Sequence, residues 1–136
     1  MPQPSADLIR SVPLFSDLDD KTAGRLAGEF IERHFDAGTA IATEGVDGLN
    51  FFIVASGEAT VSVRGNTVAT LGPGSSFGEV ALVDRAARTA TVTAATPMVA
   101  YALPIWSFRP FVEQRPELAW KLLEILAERL RSTQLR

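Results

Sequence analysis

Cysteine is absent from this 136-residue chain, histidine occurs once, and lysine appears only as Lys21 and Lys121. Without a thiol there is no disulfide framework, no cysteine nucleophile and no thiolate-held zinc or iron–sulfur centre. A reducing, cytoplasmic setting fits. With His34 as the one imidazole, a multi-histidine metal site cannot be built, and a Ser/His/Asp triad would have to centre on that ring. We therefore expect no enzyme activity, no metal and no cofactor. His34 itself falls on the polar side of the alternating run Phe30-Ile31-Glu32-Arg33-His34-Phe35, where a solvated role is expected. No apolar run approaches the roughly 20 residues a membrane span needs. The start, Met1 to Asp7, lacks the basic and apolar regions of a secretion signal. An excess of basic charge is missing too: 13 Lys and Arg against 16 Asp and Glu leave a net charge of -3, which argues against non-specific nucleic-acid binding.

What is present is globular. Hydrophobic residues make up 46% of the chain and charged residues 21%, as in an ordinary soluble domain. A single domain spanning residues 1–136 can bury roughly two-thirds of its unfolded surface. Pro4 to Val12 reads as a short helix ended by Pro13. Ser16 then offers an N-cap for a second helix over Asp19 to Phe30, where Ala23, Leu26, Ala27 and Phe30 recur at helical spacing.

From about residue 31 to 104 the signals are short strands between turns: Ala37-Gly38, Gly45-Val46-Asp47-Gly48, Ser56-Gly57, Gly65-Asn66 and Gly72-Pro73-Gly74. Turns at intervals of about ten residues predict an antiparallel barrel or sandwich. Phe51-Phe52-Ile53-Val54 is continuously apolar, Ala59 to Val63 alternates, and Arg64-Gly65-Asn66-Thr67 supplies a tight hairpin. Over 105–135 the pattern returns to helix, with a first segment to Gln114 and a long final helix, Glu117 to Leu135, that Pro116 can open. The final helix carries more apolar positions than one narrow stripe, so one face packs on the barrel and another either meets a partner helix or lies in a groove of its own barrel.

The informative segment runs from Gly72 to Val92. A glycine-rich turn leads into a helical turn at Glu79 to Leu82, whose exposed N–H groups suit an anion. Arg88 adds a fixed charge and a planar fork of donors suited to phosphate oxygens. Glu79 can only accept, so a ligand hydroxyl is its natural partner. An anion, a hydroxyl and a bare glycine backbone together describe a sugar phosphate or nucleotide site. The glycine spacing does not match the dinucleotide fingerprint, and the Gly-Lys-Ser/Thr of the phosphate loop is absent.

Phe77-Gly78-Glu79-Val80-Ala81-Leu82, five further residues, then Arg88-Thr89-Ala90-Thr91-Val92 resembles the phosphate-binding cassette of cyclic nucleotide-binding domains. Glu44-Gly45, Phe52-Ile53-Val54, Ser56-Gly57-Glu58 and Leu71-Gly72-Pro73-Gly74 are similar to the turns upstream of that cassette, so the likeness runs from about Leu14 to the final helix. The resemblance implies a mainly β fold, a double-stranded β-helix or jelly-roll barrel with short N-terminal helices and a long C-terminal helix. It implies cAMP or cGMP as the ligand. Arg88 would clamp the cyclic phosphate, with backbone N–H groups near Gly78, Ala81 and Thr89 completing the cradle. Glu79 would take the ribose 2′-hydroxyl, and Phe77, Val80 and Leu82 would shape the cassette backbone. Ala87 departs from the proline common before the arginine, which loosens the loop without removing a ligand contact.

Thr89 bears on base choice. The family often has alanine there in cAMP-selective kinase sites and threonine in cGMP-kinase sites, yet threonine or serine also occurs in domains that prefer cAMP. One hydroxyl contact is worth about 0.5–1.5 kcal/mol, so cAMP is the expected ligand and cGMP an accepted one. Thr133, three residues after Leu130, is similar in spacing to an adenine-contacting threonine of the catabolite activator; the alternative is a fraying helix end. Val61 packs either on the base or in the core. The function implied is a regulatory sensor without catalysis, possessing no helix-turn-helix in these residues, with a parallel homodimer through Glu117 to Leu135 and a protein effector as expected partners. The alternatives are an interaction module that has lost the ligand and the effector-domain fragment of a larger transcription regulator.

Overall fold

The structure, a computed structural model, describes residues 3–43, 45, 49–79 and 90–134. The chain enters through helix α1 (Ala6–Arg10), a single 3-10 turn (Pro13–Phe15) and helix α2 (Asp20–Ala27). Ser5 caps α1, its hydroxyl accepting the Leu8 N–H at 3.1 Å. The expected Ser16 cap is corrected to Asp19, whose carboxylate accepts the Thr22 N–H at 2.7 Å. Ser16 is already committed to the preceding turn, its hydroxyl donating to the Pro13 carbonyl at 2.9 Å. A carboxylate also gains from the partial positive charge of the helix start. Accordingly, its hydrogen bonds from Thr22 hold the Asp19 pKa below the usual carboxylate value.

Eight strands follow: β1 (Ile31–Phe35), β2 (Ala40–Ala42), β3 (Asn50–Ser56), β4 (Ala59–Val63), β5 (Asn66–Leu71), β6 (Ser76–Phe77), β7 (Thr91–Ala94) and β8 (Met98–Pro104). Among the described residues they pair antiparallel as two four-stranded sheets, β1-β8-β3-β6 and β2-β7-β4-β5. The expected barrel thus takes the form of a jelly-roll sandwich. His34 is exposed on β1 and pairs with Glu32 at 2.8 Å, as a solvated residue should.

The first sheet has two buried faces, and the period of two in its central strands explains why. Phe51 and Ile53 of β3, with Leu103 of β8, pack on the helical layer together with Ile9, Phe15, Leu26 and Phe108. Phe52 and Val54, with Met98, Ala100 and Ala102, turn the other way and meet Ala42, Ala59, Val92 and Ala94 of the second sheet. A strand covered on both faces has no polar side to show, hence the unbroken Phe51 to Val54 run.

The hairpin at Arg64-Gly65 has φ of 53° and 81°, the left-handed pair that matches strand twist. Gly57, at φ 82°, is fixed more tightly: a Cβ there would overlap the Pro97 carbonyl oxygen and lie 2.6 Å from the Met98 Cβ. Gly57→Ala should cost about 2–4 kcal/mol from backbone strain and overpacking together. Urea unfolding of the variant checks this, and an unchanged midpoint would contradict it.

Helices α3 (Ile105–Glu113) and α4 (Pro116–Gln134) complete the helical layer. Leu118 and Leu122 of α4 are buried in the first core, and Lys121 Nζ reaches Asp17 Oδ2 at 2.9 Å, tying α4 to the residues after the 3-10 turn. Trp120, Leu123 and Leu130 are 69%, 55% and 59% exposed, so α4 keeps an apolar face away from its own core. Leu135, at the end of the expected interface, lies outside the described residues.

Candidate ligand-binding site

The cassette begins where β6 leaves the first sheet. Residues 72–75 form a turn, with the Ser75 N–H donating to the Gly72 carbonyl at 3.0 Å and the Gly74 N–H to the Val54 carbonyl at 2.9 Å. These bonds anchor the glycine-rich turn to β3. Ser76 and Phe77 then pair with Ile53 and Phe52. The Phe77 ring stacks on Phe52 with centroids 5.0 Å apart and planes at 19°, and it packs against the inner core. Gly78 follows at φ 89°, a conformation that suits a residue without Cβ and turns the chain out of the strand.

Glu79 comes next and is only 7% exposed. Its Oε1 atom is buried and accepts no hydrogen bond among the described residues; its partner is the guanidinium of Arg129, on α4, in an ion pair. A carboxylate this far from water needs such a charge, since an isolated buried ion costs several kcal/mol. Arg129 remains 60% exposed along its side chain, so the pair is wet on one side only.

Of the remaining residues singled out in the sequence, Val61 stands on β4 opposite Val92 and packs against the inner core. Thr133 lies on α4, one turn past Arg129. Val80, Ala81, Leu82, Arg88 and Thr89 lie outside the described residues, as do Glu44, Val46, Asp47 and Gly48 of the upstream turn. The described part of the site therefore joins Phe77, Gly78 and Glu79 to α4.

Arg129 is the residue that sequence reasoning missed. The signal was there in the spacing: Leu118, Leu122, Ile125 and Arg129 follow one another at four, three and four residues. An arginine at the end of a core-facing stripe is in position to meet something buried. Among the described residues no group of three His, Cys, Asp or Glu gathers as a metal site, and no helix is long and apolar enough to cross a membrane.

A jelly-roll sandwich with helices on one sheet, and a glycine turn that presents one buried carboxylate at the end of a short strand, has the architecture of a small-ligand regulatory domain. The family model of the cyclic nucleotide-binding domain matches residues 32–115, and the chain belongs to that family. It is 44% identical over 92 residues to a cAMP-dependent protein kinase regulatory subunit of Yarrowia lipolytica, covering 66% of this chain and 24% of that one. The N-terminal domain of a transcriptional regulator from Streptomyces coelicolor superposes with a TM-score of 0.81 at 34% identity, over 94% of this chain and 92% of that one. The regulatory domain of Toxoplasma gondii PKA, crystallised with cAMP, gives a TM-score of 0.73 at 33% identity, over 79% of this chain and 42% of that one. The chain spans about a quarter or less of the length of the first curated relatives it matches.

Proposed function

We propose that this chain is a cyclic nucleotide sensor that prefers cAMP, accepts cGMP and carries no catalytic step of its own. The observation that carries the reading is the cassette: Phe77-Gly78-Glu79 at the end of β6, with Arg88-Thr89 at family spacing before β7, in a domain of this family. Arg88 holds the cyclic phosphate, with backbone N–H groups near Gly78, Ala81 and Thr89, and Glu79 receives the ribose 2′-hydroxyl. Val61, already on the inner core, and Thr133 contact the base. The relative crystallised with cAMP supports that choice of nucleotide.

Residues 1–136 act as one domain in the cytoplasm, and the helices after Pro104 carry the response to a protein effector. The net charge of -3 supports a module that makes no nucleic-acid contact itself. Ala119, Leu123, Leu126 and Leu130 recur at spacings of four, three and four, the seam of a two-stranded coiled coil, which supports a homodimer through Glu117 to Leu135. A ligand that prefers one arrangement of the helices a hundredfold supplies about 2.7 kcal/mol of bias.

Calorimetric titration of the chain, shown to be nucleotide-free by mass spectrometry, with cAMP and then cGMP tests the reading. Micromolar or tighter binding, with cAMP ahead, is the expected result. No heat with either nucleotide from a folded chain would replace the sensor with an interaction module.

A further inference from the structure

At about 100° of turn per residue, α4 presents three distinct directions. Leu118 and Leu122 point into the helical core. Ala119, Leu123, Leu126 and Leu130 form the proposed seam, about a quarter turn away. Trp120 stands two residues from Leu118 and two from Leu122, so it points almost directly away from the core, and it is 69% exposed. A two-stranded coiled coil leaves this ring beside the seam and in water.

On its other side the seam opens into a cleft. Between α3 and α4 lies a cavity of about 390 Å³ whose lining includes Phe108, Arg109 and Val112 of α3 with Leu122, Leu123 and Leu126 of α4. Leu123 and Leu126 belong to the cleft and to the seam at once, so a second copy that covers the seam also meets α3. A two-fold axis parallel to α4 carries the α3 of one copy across the seam, onto the side of the other copy where Trp120 stands. We propose, on the homodimer reading given above, that each Trp120 seats in the α3–α4 cleft of the other copy, extending the coiled coil into a four-helix layer.

Charge favours the same arrangement. Arg109 lines the cleft, and Glu124 follows Trp120 by one turn on the same side of α4. Both are exposed, and neither has an ion-pair partner among the described residues. Lys121, the cation next to Trp120, is already held by Asp17. Across the two-fold axis Arg109 of each copy meets Glu124 of the other, so the contact is made twice. An aromatic anchor in an apolar cleft with charges at its rim is the anatomy of an interface hot spot.

Sedimentation equilibrium of the full chain tests the seat through the dimer dissociation constant, with melting to establish that each variant is folded. Trp120→Ala should weaken the dimer about thirtyfold or more. Arg109→Glu and Glu124→Arg should each weaken it about tenfold, and the two reversals together should return it to within about threefold of the wild type. In a Trp106→Phe background, the emission of Trp120 should move to shorter wavelength as the chain dimerises. A dimer that Leu123→Glu breaks and Trp120→Ala leaves unchanged would overturn the seat and keep the homodimer. A double reversal no tighter than either single one would overturn the crossing of α3 over the seam. A wild type that stays monomeric at every concentration would overturn the homodimer and the seat together, leaving the cleft to a different partner.

Discussion

Phe15→Ala is expected to remove about 3–5 kcal/mol of folding stability, the cost of truncating a fully buried phenylalanine. Phe15 has no solvent exposure, and its ring lies edge-on to Phe51 at 6.0 Å and to Phe108 at 6.3 Å. It therefore joins three parts of the chain at one point: the 3-10 turn, β3 and α3. Deleting the ring leaves a cavity that β3 cannot close, because the same strand is pinned on its other face by the inner core. For a domain this size the melting temperature should fall by roughly 10–20 °C. Calorimetric or circular-dichroism melting measures the shift, and a fall of only a degree or two would mean that the helical layer adds little to the sandwich.

That Phe15 matters so much was not legible from its surroundings in sequence. Pro13-Leu14-Phe15 is too short to show a period, and its burial comes from partners near residues 51 and 108. The elements that did read correctly were those whose own residues determine them. The alternation of Ala59 to Val63, the left-handed pair Arg64-Gly65 and the helical repeat after Pro116 each state their geometry locally. The cap of α2 misread because Ser16 and Asp19 are both good caps, and only the bond from Ser16 to Pro13 shows that the serine is taken. At the site, the cassette was legible because it is contiguous. Arg129 was not, since a pair between residues fifty positions apart depends on how α4 lies across β6.

Arg88→Ala should weaken cAMP binding by about 2–5 kcal/mol, the loss that follows when one partner of a desolvated charge pair is deleted. In dissociation constants that is roughly thirtyfold to several thousandfold. A cyclic phosphate carries one full negative charge, and guanidinium is the side chain that meets its oxygens with paired donors. Arg85→Ala is the matched control. It deletes the same charge three residues earlier, outside the Arg88-Thr89 pair that the resemblance assigns to the phosphate, and should change affinity little. Titration of both variants, with melting to establish that each is folded, separates a specific clamp from a general field. Unchanged affinity in a folded Arg88→Ala chain would remove the site assignment.

The pairing of the strands also sets a timetable for assembly. Among the described residues only β4 and β5 meet across a two-residue turn; β1 pairs with β8 from Ile31 to Ala102, β2 with β7 from Ala40 to Thr93, and β3 with β8 from Asn50 to Pro104. A ribosome delivering this chain releases β1, β2 and β3 well before the strands that complete them. β3 can meet β6 at Phe77 and β2 can meet β7 by Ala94, but β1 and the β8-facing edge of the apolar Phe51 to Val54 run wait unpaired until residue 104 has emerged. Loop closure over such separations has to precede any reward from the contacts, which places folding in the milliseconds-to-seconds range typical of all-β domains. The interval between the first strand and its partner is when the nascent chain is most exposed to mispairing.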